Sequence, residues 1–301
     1  MRQFISETQL DERGMLTVRK KDFTHLCRVL RASVGDMLYV RFPDGALVPM
    51  TVCSVHNDKK IAELQLCVRG TTQQRGNNPL QTAARGVSAF EVNENHSTVT
   101  YTLFQWIAKP QKMELIIRQA TECGVQTIVP VIGAYSQKSC IESMRTKRTR
   151  FDKIIKEARE QSGSPVESVV HDAVSVHDAC ALWQKVRSMS DVIDSTVSDA
   201  IISTGNSDVE TCGSKTGAAN AIAIVLSERS DLCKPLSKIA DECTDVKNAA
   251  LAVGSEGGIS PEEIALLHNA GFAPVHFSGN ILRCETAALY GIAALQTHLE
   301  K

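Results

Sequence analysis

The most constraining feature of the sequence is a pair of short apolar runs, AIAIVLS at residues 221–227 and AALAVGS at residues 249–255. Each run has the length of a β-strand and is short for a buried helix. A strand whose successive side chains are nearly all apolar must be covered on both faces, which is typical of a parallel sheet between helical layers. The two runs therefore predict an α/β domain built around a largely parallel sheet.

Strands and helices alternate from about residue 98 to the end of the chain. TVTYTLFQWI (98–107) and VQTIVPVI (125–132) have the composition of strands, and KMELIIRQATECG (112–124) between them has helical spacing and ends at a glycine. We therefore assign residues 98–301 to the α/β domain. Similar patterns predict a helix at 150–163, strands at 167–172 and 273–279, and a closing helix at 285–299.

The N-terminal residues have a different pattern. Strand-like runs at 37–42, 46–55 and 61–68 are separated by the turn signals FPDGA and HNDKK, and one short helix precedes them. This pattern predicts a small β-barrel or sandwich that forms a separate domain over residues 1–72.

Two polar stretches interrupt these patterns. Residues 73–97 are polar and aperiodic, which predicts a linker between the two domains. Residues 190–220 are rich in Ser, Thr, Gly, Asp and Asn, which predicts a surface loop inserted into the second domain. One more short helix is predicted within 231–248.

Composition argues against several classes of protein. No apolar stretch approaches the length of a membrane span, and MRQFISETQLDERG at the N-terminus lacks an apolar core, so we expect a cytoplasmic protein. The ten cysteines are scattered without CxxC pairs or histidine-rich spacing, so we expect no metal site. The formal net charge of −1 argues against coating nucleic acid by charge alone. Local basic patches remain at 20–31 and 144–153.

Two predicted strands end in turns that contain glycine. LAVGSEGGIS leaves one strand through Gly254, Gly257 and Gly258, and HFSGNILRCETA leaves another through Gly279. In open α/β sheets, ligands bind beyond the carboxyl ends of the strands, so the two turns predict a cleft for a planar, polar ligand. Glu256 disfavours a triphosphate and is compatible with a cation such as the sulfonium of S-adenosylmethionine. The alternative is that both are merely tight turns.

Together, VGSEGGISPEEI and SGNILRCETAAL resemble the paired C-terminal motifs of the uridine-N3 methyltransferases of small-subunit ribosomal RNA. These enzymes belong to the SPOUT class. The similarity continues upstream in HLCRVLRASVGDML, FPDG, KMELIIRQATECGVQTIVPV and AREQSG, and so covers nearly the whole chain apart from the two polar stretches.

The sequence departs from the family pattern at several positions. Ser255 stands where proline is usual, and Cys284 where threonine is commoner. Ser164 and Pro165 follow Gly163, where the family usually has an arginine, so an RNA or base contact is missing there or replaced. Upstream, Gln119 and Cys123 stand where lysine and leucine are commoner.

The resemblance implies a PUA-like N-terminal barrel and a C-terminal SPOUT domain with a deep trefoil knot. It implies methyl transfer from S-adenosylmethionine to N3 of a uridine in 16S rRNA of the small ribosomal subunit, by a homodimer with the cofactor cleft beside its interface. An apolar stripe in the closing helix fits either a dimer interface or an intramolecular core, and consists of Ala288, Ile292, Leu295 and Leu299.

The resemblance also assigns site residues. We expect Arg283 to stabilise the charge on uracil as N3 loses its proton, or to clamp a phosphate. Glu285 would order Arg283 or accept the proton; alternatively, it is a carboxylate favoured by the first turn of a helix. The expected cofactor-binding residues are Leu226, Ser227, Glu228, Gly254, Ser255, Glu256, Gly257, Gly258, Gly279, Ile281, Leu282, Arg283 and Thr286. The expected RNA contacts are Arg2, Arg28, Arg31, Lys109 and Lys112.

Other functions remain open at this point. The chain could be a SPOUT methyltransferase for another RNA position, or an RNA-binding assembly factor that keeps the cleft without catalysis. An oxidoreductase with a nucleotide cofactor is disfavoured because the GxGxxG fingerprint is absent. Because the net charge is nearly zero, we expect a substrate with a preformed surface, the assembled subunit, in preference to naked RNA.

Overall fold

A computed structural model describes most of the chain and divides it into two compact units. The first unit consists of the described part of Met1–His96 together with Arg159–Pro165, and the second of the described parts of Ser97–Ala158 and Val166–Lys301. The described residues are 3–67, 98–199, 220–228, 233–243, 245–277 and 280–300. The predicted linker at 73–97 lies outside them, as do Arg2 and Gly279.

The first unit contains a five-stranded sheet with the order β1-β3-β4-β5-β2. The strands are β1 (Gln3–Ile5), β2 (Met15–Arg19), β3 (Met37–Arg41), β4 (Leu47–His56) and β5 (Ile61–Leu66). Strands β1 and β3 are parallel, and the other pairs are antiparallel. Helix α1 (Lys20–Thr24) runs directly into a π-helical turn at His25–Val29. The three predicted strands are confirmed, whereas the short β1 and β2 were missed.

The segment Arg159–Pro165 belongs to this first unit through buried hydrogen bonds. The Gln3 amide donates to the carbonyl oxygens of Arg159 at 3.0 Å and Ser164 at 3.1 Å. The buried Glu160 carboxylate accepts from the backbone N–H of Ile5 at 3.1 Å and lies 2.6 Å from the His25 ring. The end of the predicted AREQSG helix is therefore part of the N-terminal core, which its sequence does not reveal.

The second unit is an α/β domain with a parallel sheet, as predicted. Its strand order is β12-β10-β11-β6-β7-β8, and β9 also pairs with β7. The strands are β6 (Thr100–Trp106), β7 (Thr127–Ile132), β8 (Val169–Val170), β9 (Val174–Ser175), β10 (Ala221–Leu226), β11 (Asn248–Val253) and β12 (Ala273–Val275). The helices are α2 (Pro110–Glu122), α3 (Lys138–Thr146), α4 (Arg148–Ser162), α5 (Val176–Asp199), α6 (Leu236–Asp241), α7 (Pro261–Asn269) and α8 (Cys284–Leu299), and the last residues of α4, from Arg159, belong to the first unit.

Both faces of this sheet are buried, as the apolar runs predicted. Along β6, Leu103 packs into the core on one face, whereas Phe104 and Trp106 pack into the core on the other. Successive side chains of a strand point to opposite faces, so a strand that is buried on both sides needs apolar residues at almost every position. Strand β11 lies between β10 and β6, and its apolar residues meet the same requirement.

Helix α5 corrects one prediction. The helix extends to Asp199 and so includes 190–199, the beginning of the stretch that was predicted as a loop. Its earlier turns pack Trp183 and Ala179 into the core, and a helix that has been nucleated in this way can continue through residues of low helical propensity. The rest of that stretch, 200–219, lies outside the described residues.

The apolar stripe of the closing helix is intramolecular. Ala288, Ile292 and Leu295 are buried in the core of the second unit, and Leu299 packs against it. Gly291 allows α8 to approach the sheet closely, since a Cβ atom there would lie 2.8 Å from the Leu251 side chain. None of the helices in the described ranges is long and apolar enough to cross a membrane.

A buried carboxylate fixes the start of α7 against two strand ends. Glu263 forms a capping box with Ser260, and its Oε2 accepts from the Ser260 backbone N–H at 2.9 Å. The same carboxylate accepts from Trp106 Nε1 at 3.3 Å and from the Ala134 backbone N–H at 2.8 Å. Glu263 thereby ties the helix that follows the first glycine turn to the ends of β6 and β7.

Glu263→Gln should therefore destabilise the second unit by about 2 kcal/mol, because an amide NH₂ group cannot accept from the buried N–H donors. Both tryptophans, Trp106 and Trp183, lie in this unit, so urea unfolding followed by tryptophan fluorescence reports on it alone. Glu262→Gln is the control on an exposed neighbour in the same helical turn and should cost clearly less than Glu263→Gln, because its carboxylate interacts with the helix N-terminus at an exposed position. Equal effects of the two substitutions would show that the buried carboxylate has no special role.

Candidate functional site

A cavity of about 820 Å³ lies at the carboxyl ends of three neighbouring parallel strands. The ends of β10, β11 and β12 contribute Leu226, Val253 and Val275, and the segments that follow these strands form most of the remaining lining. The volume lies in the range of cavities that hold a small ligand or a cofactor. The first glycine turn and the described residues of the second segment thus face one cavity at the sheet edge where the sequence predicted a cleft.

The glycines of the first turn are required by the protein itself. A Cβ atom on Gly254 would lie 2.9 Å from the Gly258 carbonyl carbon, and one on Gly257 would lie 2.9 Å from Tyr135 Cβ. Gly258 has a φ of +77°, in the region that glycine adopts without strain. A ligand that approaches the backbone is therefore not needed to explain these glycines, and a larger residue at position 257 would displace Tyr135.

Most of the predicted cofactor-binding residues line the cavity. Glu256, Arg283 and Thr286 do not line it, and Gly279 lies outside the described residues. Arg283 and Thr286 are exposed at the start of α8. The predicted residues that line the cavity are Leu226, Ser227, Glu228, Gly254, Ser255, Gly257, Gly258, Ile281 and Leu282.

Sequence reasoning missed several polar groups of the lining: Tyr135, His268, Asn269, His276 and Asn280. His276 Nδ1 lies 3.0 Å from the Ser227 carbonyl oxygen, which can only accept, so Nδ1 carries the proton and Nε2 is left as an acceptor in the neutral ring. The sequence signal for His276 is its position directly after β12. Tyr135 and His268 had no signal, because they come from segments that only the fold brings to the cavity.

An ionic cluster lies beside the cavity and joins three elements. Lys112 Nζ, in the first turn of α2, lies 3.0 Å from Glu285 Oε2 in α8 and 3.6 Å from Glu256 Oε1 in the first glycine turn. The Cys284 thiol, which lines the cavity, donates to Glu285 Oε2 at 3.2 Å and lies 3.8 Å from Lys112 Nζ. We call these four residues the Lys112 cluster.

The cluster shifts the pKa of three of its members. Burial alone would raise the pKa of Glu285, but its own backbone N–H, the Lys112 ammonium and the Cys284 thiol outweigh burial and hold that pKa below its ordinary value. The hydrogen bond to Glu285 raises the pKa of Lys112. Burial and the Glu285 carboxylate raise the pKa of the Cys284 thiol to about 11. At neutral pH the lysine and glutamate are ionised and the thiol is protonated.

The residues predicted to contact RNA fall into two groups. Arg28 and Arg31 are exposed on the first unit. In the second unit Lys109 is exposed, whereas Lys112 is only 27% exposed and is paired within the cluster. Among the described residues, Glu285 pairs with Lys112 and Cys284, and the Arg283 guanidinium forms no ion pair. The expected ordering of Arg283 by Glu285 is therefore not present.

The domain that contains this cavity matches a known protein family. A family model for the RNA methyltransferase domain matches residues 95–296, which include all of the second unit's described strands and its cavity. The chain belongs to the RNA methyltransferase family. No group of three or more His, Cys, Asp or Glu side chains suited to a metal ion occurs within the residues that the structure describes.

Individual members of the RNA methyltransferase family resemble the chain over most of its length. It is 23% identical to ribosomal RNA small subunit methyltransferase E of Bacillus subtilis over 297 residues, 98% of this chain and 95% of that protein. It is 28% identical to the protein of the same name from Aquifex aeolicus over 196 residues, 64% of this chain and 67% of that protein.

A crystal structure of ribosomal RNA small subunit methyltransferase E from Neisseria gonorrhoeae, bound to S-adenosyl methionine, has a similar fold. The TM-score is 0.66 at 21% identity, covering 99% of this chain and 97% of that one. At this identity the likeness shows that the two proteins share a fold along nearly their whole length.

In this RNA methyltransferase, the ion pair of Glu285 should stabilise the second unit over a defined pH range. Since the pKa of Glu285 is lowered on folding, the stabilisation is present above its unfolded pKa and is lost as the pH falls through the folded pKa. The raised pKa of Lys112 means that the pair is also lost when the pH rises through that value. The stability difference between the parent and Glu285→Gln should therefore be largest near neutral pH.

Urea unfolding of the parent and Glu285→Gln at about pH 7 and about pH 3.5 measures this difference. The variant should be less stable at the higher pH, and the difference should be smaller at the lower pH, which lies below the unfolded pKa of the carboxyl group. A difference that grows on acidification would contradict the ion pair.

Proposed function

We propose that the protein is an S-adenosylmethionine-dependent methyltransferase that modifies N3 of a uridine in the 16S rRNA of the small ribosomal subunit. The observation that carries this proposal is the match of the RNA methyltransferase domain over residues 95–296, which contain the two turns around one cavity. Relatives named ribosomal RNA small subunit methyltransferase E align with 98% of the chain in one case, which supports the same class of substrate.

The residues of the cavity fit an adenosyl cofactor. Leu226, Ile259 and Val275 offer apolar surface to a planar ring, and the strand ends offer backbone N–H and C=O groups. Ser227, Asn280 and the histidines provide side-chain hydrogen bonds for a ribose and an amino-acid group. Bound S-adenosylmethionine would supply an electrophilic methyl group for N3, and the protein would have to accept the proton that N3 gives up.

The protein's part in such a transfer is mainly to position two partners and to remove one proton. Arg283, exposed at the start of α8, is proposed to stabilise negative charge on uracil or to hold a phosphate. Glu285 is ionised at neutral pH and so is able to accept a proton, although its lowered pKa makes it a weak base. His276, with Nε2 available as an acceptor, is a further group that could take the N3 proton.

Substrate RNA would be held by cations on both units. Arg28 and Arg31 on the first unit and Lys109 on the second are exposed and suited to phosphate contacts, which position an RNA without reading its sequence. Arg2 and Lys112 complete the RNA contacts assigned from the sequence, and Gly279 completes the assigned cofactor-binding residues. Such a substrate places the protein in the cytoplasm, and the near-zero net charge favours the assembled subunit over naked RNA.

The proposal extends to architecture and assembly. The resemblance to the SPOUT class implies a deep trefoil knot in the second unit, a PUA-like barrel in the first, and a homodimer. Because the stripe of α8 is used internally, a dimer would have to use other surface, and the described residues of the second unit include exposed large apolar side chains in α2 and α8. Tyr290 in α8 is 53% exposed and Leu115 in α2 is 39% exposed.

Cofactor binding is the first test of this function. Ile281 lines the cavity and is 73% exposed, so Ile281→Ala should remove apolar ligand contact without harming the fold. Calorimetry with S-adenosylmethionine should show binding by the parent and about five- to tenfold weaker binding by the variant. Val169→Ala, on the edge strand β8 away from the cavity, is the control and should bind as the parent does. Unchanged affinity of Ile281→Ala would reject this cavity as the cofactor site.

The modified nucleoside is the decisive test of the substrate. Mass spectrometry of rRNA nucleosides should show 3-methyluridine in the parent strain and its loss when the gene is deleted. Arg28→Ala combined with Arg31→Ala should weaken engagement of the subunit about tenfold or more and leave cofactor affinity intact. An unchanged amount of 3-methyluridine on deletion, or the loss of a ribose or carbon methyl group instead, would refute the N3 assignment. Cofactor binding without any rRNA methylation would favour an assembly factor.

A further inference from the structure

Lys112 connects the first glycine turn to the start of α8. Its ammonium group lies 3.6 Å from Glu256 Oε1 in the first turn and 3.0 Å from Glu285 Oε2 at the start of α8. The backbone N–H of Lys109, the residue that precedes α2, also points to Glu256 Oε1 at 3.4 Å. The beginning of α2 thus contacts the first turn, most of which lines the cavity, and the start of α8, where Cys284 lines it.

The charges explain why a cation is needed there. Two carboxylates and one ammonium give the cluster a net charge of −1, and without Lys112 both carboxylates would lose the cation that they share. Like charges near one another repel more strongly at a partly buried site than in water. Glu285 is 16% exposed and Glu256 is 32% exposed, so solvent would only partly screen that repulsion.

We propose that Lys112 is a positioning residue for the cofactor, which holds the Glu256 turn and the start of α8 together so that the cavity is formed before the cofactor binds. This inference rests on the proposed function and deepens it, because it moves Lys112 from RNA contact to the organisation of the cofactor site. Lys112 acts through the two carboxylates and is not one of the residues that line the cavity.

Two further observations support this role. Cys284 lines the cavity and donates to the same Glu285 oxygen that Lys112 contacts, so the position of that carboxylate is set from both sides. The raised pKa of Lys112 and the lowered pKa of Glu285 keep the pair ionised across the neutral range. A lysine that already has two carboxylate partners is also poorly available to a phosphate, unlike the exposed Lys109.

The first experiment measures the affinity of the full-length protein and its Lys112 variants for S-adenosylmethionine and for the small ribosomal subunit. Lys112→Met keeps the length of the side chain and removes its charge, and Lys112→Arg keeps the charge. Calorimetry with S-adenosylmethionine should show about tenfold weaker binding by Lys112→Met and substantial recovery in Lys112→Arg. Lys247→Met, which removes a lysine paired with Asp245 at 2.7 Å before β11, is the control and should bind as the parent does.

The second experiment tests whether Lys112 couples the two carboxylates, which a merely structural lysine would not do. Glu256→Gln and Glu285→Gln, singly and together, form a double-mutant cycle for cofactor affinity. With Lys112 present, the combined effect should differ from the product of the single effects by about threefold or more. In the Lys112→Met background the coupling through the lysine should be lost, and either substitution should recover part of the affinity because it removes one of the two like charges. If Lys112→Met does not fold, the cycle in the parent background still tests the proposal.

The outcomes separate this inference from the proposed function. If the parent binds S-adenosylmethionine and Lys112→Met binds it equally well, the positioning role is wrong and the proposed function stands. If Lys112→Met keeps cofactor affinity but loses affinity for the small subunit, Lys112 is an RNA contact. If the two carboxylates act independently in the parent, the coupling is absent. If the parent itself does not bind S-adenosylmethionine, the proposed function fails, and this inference fails with it.

Discussion

Burial of both faces of the parallel sheet is the constraint on which the rest of the second unit depends. Because β11 lies between β10 and β6, its side chains must fill a core on each side, and apolar residues occupy almost every position. Polar functional groups therefore lie mainly at the ends of the strands and in the segments that follow them. The carboxyl ends of β10, β11 and β12 lie side by side, and the segments that leave them carry the groups of the cavity.

The parts around the cavity are held by charges and hydrogen bonds at its margins. Glu263 ties the start of α7 to the ends of β6 and β7 through two donors, and a third donor, the Ser260 N–H, completes the capping box of the helix. Gln105 adds a buried side-chain amide that donates to the carbonyl oxygens of Val253 and Gly254, where β11 ends. The Lys112 cluster lies on the surface side of the same turn. Together these interactions restrain the turn from both of its sides, which a preformed ligand site requires.

The glycines of the first turn show that the position of a cavity can be predicted from a residue pattern that has a second explanation. The sequence indicated a ligand site from the glycines of the first turn, and the cavity does lie there. The structure shows that Gly254 and Gly257 are needed for contacts within the protein, and Gly258 for its positive φ. A tight turn at the end of a buried strand and a ligand site beyond it have the same sequence signature, since both exclude side chains from one small volume.

The sequence by itself determined the class of the second domain, most of its strands and helices, and the turns that line its cavity. These features depend on the local period of apolar residues and on turn chemistry, which a single chain displays directly. Only the tertiary structure decided which distant groups meet. Lys112 and Glu285, Trp106 and Glu263, and Gln3 and Ser164 are brought together by strand order and helix packing. Periodicity fixes which face of an element is buried but carries no information about which element covers it, so these partners could not be predicted.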